Sequence, residues 1–146
     1  MKFIVHSRYN MMAAIPPETP WAVISVCEKG DFPEIQANSF MKGRLNLRFH
    51  DADGAFAHEQ EDTEIILFDE AHAQQILEFY ENMVEKGVEI MFVHCLMGQS
   101  RSAAIAAALE KTFNGDDGKY FSNGPYKPNM LVFRTTLNEA HERGHI

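Results

Sequence analysis

The stretch Val88-Glu89-Ile90-Met91-Phe92-Val93, running into His94-Cys95-Leu96-Met97-Gly98-Gln99-Ser100-Arg101-Ser102 and then an alanine-rich segment to Phe113, decides how this chain is read. Val88–Val93 is interrupted only by Glu89, which marks a largely buried strand. Residues 94–101 form a tight turn containing Gly98, and 102–113 reads as a helix whose alanines suit close packing on a sheet. A buried strand, a tight loop and a helix in that order point to an α/β sheet with helices on its faces. Ligands of such sheets gather at the carboxyl ends of the strands, where the 94–101 turn sits.

Upstream, Asp69 stands as an N-cap before Ala73, Ile76, Leu77, Tyr80, Met83 and Val84, which share one face of a helix over 69–86 stopped by Gly87. Three earlier strands are expected at Phe3–Val5, Ala22–Val26 and Leu45–Phe49, the last alternating at period two. Residues 51–64 read as an acidic loop, and Ile65–Phe68 fits strand and loop equally. A loop over 114–125 follows, and Pro128 marks the start of a last helix carrying Met130, Phe133, Leu137 and Ala140 on one face. The order predicts an α/β fold, a central, mostly parallel sheet flanked by helices, with residues 1–146 forming one domain.

Composition narrows the function. Of 146 residues, 45% are apolar and 23% charged, which is ordinary for a globular chain and excludes disorder and collagen-like structure. Thirteen basic against 21 acidic residues give a net charge of −8, which disfavours nucleic acid and anionic membrane as partners. It leaves room for a local anion site. Cys27 and Cys95 are too few for a disulfide framework and read as free thiols. The opening MKFIVHSRYNMM holds only Phe3–Val5 as an apolar run, and no window supplies the roughly 18 apolar residues of a membrane span, so the expected setting is the cytoplasm.

The 94–101 turn carries the chemistry. A helix N-terminus presents unpaired N–H groups and partial positive charge. A loop curled over it aims successive amides at one point, a nest for a tetrahedral oxyanion. Gly98 permits the curl where a Cβ would interfere. Arg101 supplies a planar fork matched to two oxygens of the same anion. Cys95, at the base, feels this positive potential, which favours its thiolate over its thiol. Cysteine and arginine at this spacing alone would be unremarkable. The strand before, the helix after, and His94, Gly98, Ser100 and Ser102 between them make the pattern specific.

VHCLMGQSRS resembles the H-C-x5-R-S/T motif of the cysteine-dependent protein tyrosine and dual-specificity phosphatases. The order of strand 45–49, helix 69–86, strand 88–93 and helix 102–113 is similar to that family as well. The low-molecular-weight phosphatases differ, since their loop lies near the N-terminus. The resemblance implies that Cys95 is the nucleophile and Arg101 the phosphate clamp. It implies that Ser102 stabilises the thiolate and speeds breakdown of the phosphoenzyme, and that His94 holds the loop. The backbone amides of Leu96, Met97, Gly98, Gln99, Ser100 and Arg101 would line the phosphate. Neither metal nor cofactor is implied, and the substrate would be a phosphorylated protein or a small phosphomonoester.

The family also uses an aspartic acid on an upstream loop to protonate the leaving oxygen. Asp51, directly after strand 45–49, fits that pattern, and Asp53 is the reserve. The Trp-Pro-Asp tripeptide is absent, and 44 residues separate Asp51 from Cys95, with the acidic stretch 51–64 as the extra length. Rhodanese-like sulfurtransferases and some arsenate reductases also set cysteine and arginine around an anion loop, but require neither the aspartate nor Ser102. A non-catalytic phosphate-recognition module needs no thiolate. Other features carry less. Cys27 reads as a small buried hydrophobe, and His58, His72, His141 and His145 as surface groups. Lys42, Arg44 and Arg48 read as a solvated basic face.

Overall fold

The computed structural model describes residues 1–52, 65–122 and 124–146. Among these the chain runs β1 (Lys2–Ser7), α1 (Arg8–Ala13), β2 (Trp21–Cys27), β3 (Met41–Arg48), α2 (Glu70–Glu85), β4 (Ile90–Cys95), α3 (Arg101–Asn114), α4 (Gly118–Phe121) and α5 (Met130–Glu142). The strands form a sheet in the order β1-β4-β2-β3, and every pairing is parallel. The sheet is thus wholly, not mostly, parallel. All four strands therefore end at one edge, which brings Arg8, Glu28, Phe49 and Leu96 to the same rim.

Side-chain alternation divides the sheet into two packed faces. Ala22, Ile24, Val26, Leu47, Met91, Val93 and Cys95 pack with the buried faces of α2, α3 and α5. Trp21, Val23 and Phe92 face the other way, onto Met11 of α1. β2 is buried along its whole length, which is why it reads as continuous AVISV rather than alternating. Ala103, Ala104, Ala106, Ala107 and Ala108 are wholly buried, so α3 lies close against the sheet.

Several boundaries move. β4 is Ile90–Cys95, not 88–93, because its pairing with β1 continues through His6↔His94 and Ser7↔Cys95. β3 begins at Met41 and ends one residue before Phe49. The last helix starts at Met130, capped by Asn129 Oδ1 accepting from Val132 N at 3.1 Å, so Pro128 lies outside it. Ile65–Phe68 forms no regular element, although Ile66 holds His50 through two bonds, His50 N→Ile66 O at 2.8 Å and Ile66 N→His50 Nδ1 at 3.0 Å. The sequence reading lacked α1 and α4, six and four residues long, too short to show an apolar period. Asp53 and the remainder of the acidic stretch, with His58, lie outside the described residues.

Gly98 has φ 71°, and a Cβ there would lie 2.6 Å from Ser7 N and 2.7 Å from His6 C, both backbone atoms. The loop therefore rests on the β1–α1 junction. Gly98→Ala is expected to destabilise the fold by about 1–3 kcal/mol, measured by chemical denaturation. An unchanged midpoint would show that the loop relaxes freely there.

Candidate active site

Cys95 ends β4 at the base of a cavity of about 270 Å³ bordered by Glu28, Asp51, Leu96, Met97, Gln99, Ser100 and Arg101. Its Sγ accepts from Gly98 N at 3.3 Å and lies 3.1 Å from Ser102 Oγ. The residue is 2% exposed.

The loop's carbonyls are engaged by neighbouring elements. Leu96 O accepts from Arg8 N at 3.1 Å, Gln99 O from Lys127 N at 2.8 Å, and Ser100 O from Asn129 N at 3.2 Å and Ala104 N at 2.9 Å. In a planar trans peptide the next N–H points away from the carbonyl. These bonds therefore turn the amides of Met97, Ser100 and Arg101 away from the surrounding elements, toward the loop interior. α3 begins without a side-chain cap, and Ser100 Oγ donates to Asp51 Oδ1 at 2.8 Å. Its first N–H groups thus remain for an anion.

Arg101 is the first residue of α3 and is 5% exposed. Its Nη1 donates to Phe49 O at 3.0 Å, and among the described residues its nearest carboxylate, Glu28 Oε2, lies 3.8 Å away. A buried guanidinium with so loose a counter-ion can take up an anion of better geometry.

The structure brings Asp51 to the same cavity, across 49 positions of sequence from Ser100. Asp51 Oδ1 also accepts from Asn129 Nδ2 at 2.9 Å, and Asn129 Nδ2 reaches Ala52 O at 3.2 Å. One asparagine thus caps α5 and fixes the aspartate. The sequence reading missed Asn129, whose only local signal was its position just before the last helix.

Three further residues, His72, Arg44 and Cys27, correct the sequence reading. His72, read as a surface group, forms the other half of the α2 capping box, accepting from Asp69 N at 3.0 Å. Its Nε2 reaches Arg48 O at 3.1 Å and its ring stacks on Phe68, which braces the chain leading to Asp51. His145 is exposed, as expected, and its Nε2 lies 2.8 Å from Glu81 Oε2. Arg44 is not on a solvated face. It donates to Ser25 Oγ at 3.3 Å and Pro33 O at 2.9 Å. Cys27 is buried but polar, accepting from Arg8 Nη1 at 3.4 Å and donating to Lys29 O at 3.2 Å. It borders a second cavity of about 280 Å³ that shares Glu28, Leu96 and Arg101 with the first.

His94 is wholly buried, with Nε2 2.5 Å from Ser25 Oγ and Nδ1 3.4 Å from Cys95 O. Burial pushes it down from 6.5 to about 4, the hydrogen bond to the Cys95 carbonyl opposes this, and the charges of Arg44 and Arg8 add to the lowering. The neutral ring is the folded form at neutral pH. An unfolded histidine binds its proton first as the pH falls. Stability is therefore full above about pH 6.5 and is lost progressively as the pH drops toward about 4. The expected loss is on the order of 2–3 kcal/mol, and His94→Gln should flatten it in denaturation curves taken from pH 7 to pH 4. The same slope in both proteins would assign the effect to other groups.

No family model and no curated protein sequence matches this chain. Solved structures do match. Human tyrosine phosphatase-like serine/threonine/tyrosine-interacting protein superposes with a TM-score of 0.65 at 15% identity, covering 97% of this chain and 91% of its own. Human DUSP28 gives a TM-score of 0.57 at 16% identity, covering 99% of this chain and 95% of its own. A mouse protein assigned to the dual specificity phosphatases, complexed with zinc tungstate, gives 0.54 at 17%, covering 87% and 74%. With its parallel sheet, flanking helices and matching extent, the chain has the dual-specificity phosphatase-type fold.

Proposed function

We propose that this chain is a cysteine-dependent phosphatase that hydrolyses phosphomonoesters, of the phosphotyrosine type, through a cysteinyl-phosphate. The observation that carries the proposal is the convergence on one cavity of the Cys95 sulfur, the Arg101 guanidinium and the Asp51 carboxyl. The Cys95 thiolate attacks phosphorus in line, and the bond from phosphorus to the ester oxygen breaks. That oxygen takes a proton from Asp51. With Oδ1 held by Ser100 and Asn129, Oδ2 is the oxygen that carries the proton. Arg101 and the loop amides stabilise the equatorial oxygens. In the second step the Asp51 carboxylate takes a proton from water, the water oxygen attacks phosphorus, and the S–P bond breaks to release phosphate and restore the thiolate.

Leu96 and Met97 are exposed at the mouth, 55% and 65%, and offer an apolar rim for an aryl leaving group. The two free cysteines suit a reducing compartment such as the cytoplasm. The test is turnover of p-nitrophenyl phosphate in the presence of EDTA, with vanadate as inhibitor. We expect metal-independent, vanadate-sensitive hydrolysis. Absence of turnover, or its loss in EDTA, would overturn the proposal. Sulfur transfer and arsenate reduction do not use an aspartic acid set beside the thiol.

Arg101→Lys is expected to lower kcat/KM by about 10²-fold, nearly as much as Arg101→Ala. Lysine keeps the charge but loses the two-pronged geometry. A lysine variant with most of the wild-type rate would reduce Arg101 to a point charge.

A further inference from the structure

We propose that Arg44 is a positioning residue for the Cys95 loop, acting through Ser25 and His94 by a one-way chain of hydrogen bonds. Arg44 lies on β3, Ser25 on β2 and His94 on β4, so the chain crosses the sheet from its edge to the nucleophile. The parallel register makes it possible, since Ser25 pairs directly with His94 and with Asn46, two positions beyond Arg44.

Donor chemistry fixes the direction of the first link, and the Cys95 carbonyl, which can only accept, favours the same direction at the last. A guanidinium only donates, so at 3.3 Å Ser25 Oγ accepts from Arg44 Nη2. The Ser25 hydroxyl hydrogen is then free to point at His94 Nε2, 2.5 Å away, and in the proposed chain Nε2 accepts it. The ring proton is left on Nδ1, whose neighbour at 3.4 Å is the Cys95 carbonyl, an acceptor. The opposite tautomer would set the Nδ1 lone pair against that carbonyl. A doubly protonated ring is opposed by burial, by the charges of Arg44 from β3 and Arg8 from α1 and, where it is protonated, by His6 from β1.

The consequence falls on the loop. Nδ1–H holds the Cys95 carbonyl on the His94 side. The planar peptide then turns the Leu96 N–H the other way, toward the loop interior. Leu96 is the first amide after the nucleophile. Arg44 is itself fixed by Asn46 Oδ1 at 2.7 Å and Pro33 O at 2.9 Å, so it anchors the chain rather than following it.

This inference rests on the proposed phosphatase reading only for its kinetic arm. The direct test is the His94 tautomer in the ligand-free protein, read from two-bond ¹H–¹⁵N correlations in wild type, Arg44→Gln, Arg44→Lys and Ser25→Ala. Wild type is expected to show the Nδ1–H form. Arg44→Gln and Ser25→Ala should each show a mixed or Nε2–H pattern, with Arg44→Lys closer to wild type. On p-nitrophenyl phosphate each of the first two should lose up to about 10-fold in kcat/KM, and the double variant should lose no more than Ser25→Ala alone. Amide spectra report whether each variant folds, and Arg44→Met, which keeps the apolar stem but donates no hydrogen bond, carries the test should Arg44→Gln unfold. An Nε2–H ring in wild type, an unchanged ring in every folded variant, or additive kinetic losses would overturn the inference. A wild-type protein with the Nδ1–H ring and no turnover would leave the inference standing and remove the phosphatase reading.

Discussion

Cys95→Ser is expected to lower p-nitrophenyl phosphate turnover by at least about 10⁴-fold while leaving the fold intact. The substitution exchanges one atom in a side chain that is 2% exposed. The fold barely senses it, but the chemistry does. A serine hydroxyl is far less acidic than a thiol, so the amide of Gly98 and the hydroxyl of Ser102, which lie 3.3 and 3.1 Å from Sγ, have no anion to stabilise near neutral pH. The variant should still bind vanadate or phosphate, since Arg101 and the α3 N-terminus are untouched. Calorimetry with those anions separates the loss of chemistry from the loss of the site. Cys27 cannot substitute as nucleophile. It shares a sheet face with Ser25, whereas Cys95 follows His94 in register and faces the helices. Cys27→Ala should therefore keep turnover within a few-fold. Substantial hydrolysis by Cys95→Ser, or its abolition by Cys27→Ala, would refute the mechanism.

What could be read from sequence follows the range of the interactions. β4, the 95–101 loop and α3 are adjacent in the chain, and a buried strand, a glycine at positive φ and an alanine-rich helix each leave a local mark. Their order was therefore legible, with an error of two residues where Val88 and Glu89 lead into the strand. α2 was legible through its apolar face and Asp69, but not the part of His72, because a histidine returning to cap its own helix has no periodic signature. The residues around the loop were less so. Asn129 meets Asp51 across 78 positions, and Ser25 meets His94 across 69. Such contacts are fixed by strand order, and β4 enters between β1 and β2 although it is made last. Arg44 was misread for the same reason. On its own strand it lies between exposed Lys42 and Asn46, and its bonds to Ser25 on the next strand and to Pro33 appear only with the fold. Asp51 was reached through the family resemblance, and its two hydrogen-bond donors emerged only with the fold.

Asp51→Asn is expected to lower kcat by about 10²–10⁴-fold for a substrate with a poor leaving group such as phenyl phosphate. It should cost much less for p-nitrophenyl phosphate, whose leaving oxygen needs little protonation. In wild type, kcat/KM should be bell-shaped in pH, because the sulfur must be ionised and the carboxyl protonated. The carboxyl is lost as the pH rises, so it sets the alkaline limb, and removing it should flatten that limb and keep the acid one. Asparagine preserves the shape of Asp51 and can still accept from Ser100 Oγ and Asn129 Nδ2 through its carbonyl oxygen, so a folding defect is a poor explanation for the loss. Asn129→Ala supplies the contrast. It frees the carboxyl without removing it, and should cost rate while retaining both limbs. The reserve, Asp53, is judged by the same profile. If Asp53→Asn flattens the alkaline limb and Asp51→Asn does not, the proton comes from a residue two positions further along. In that event the bonds from Ser100 and Asn129 to Asp51 anchor the loop and take no part in proton transfer.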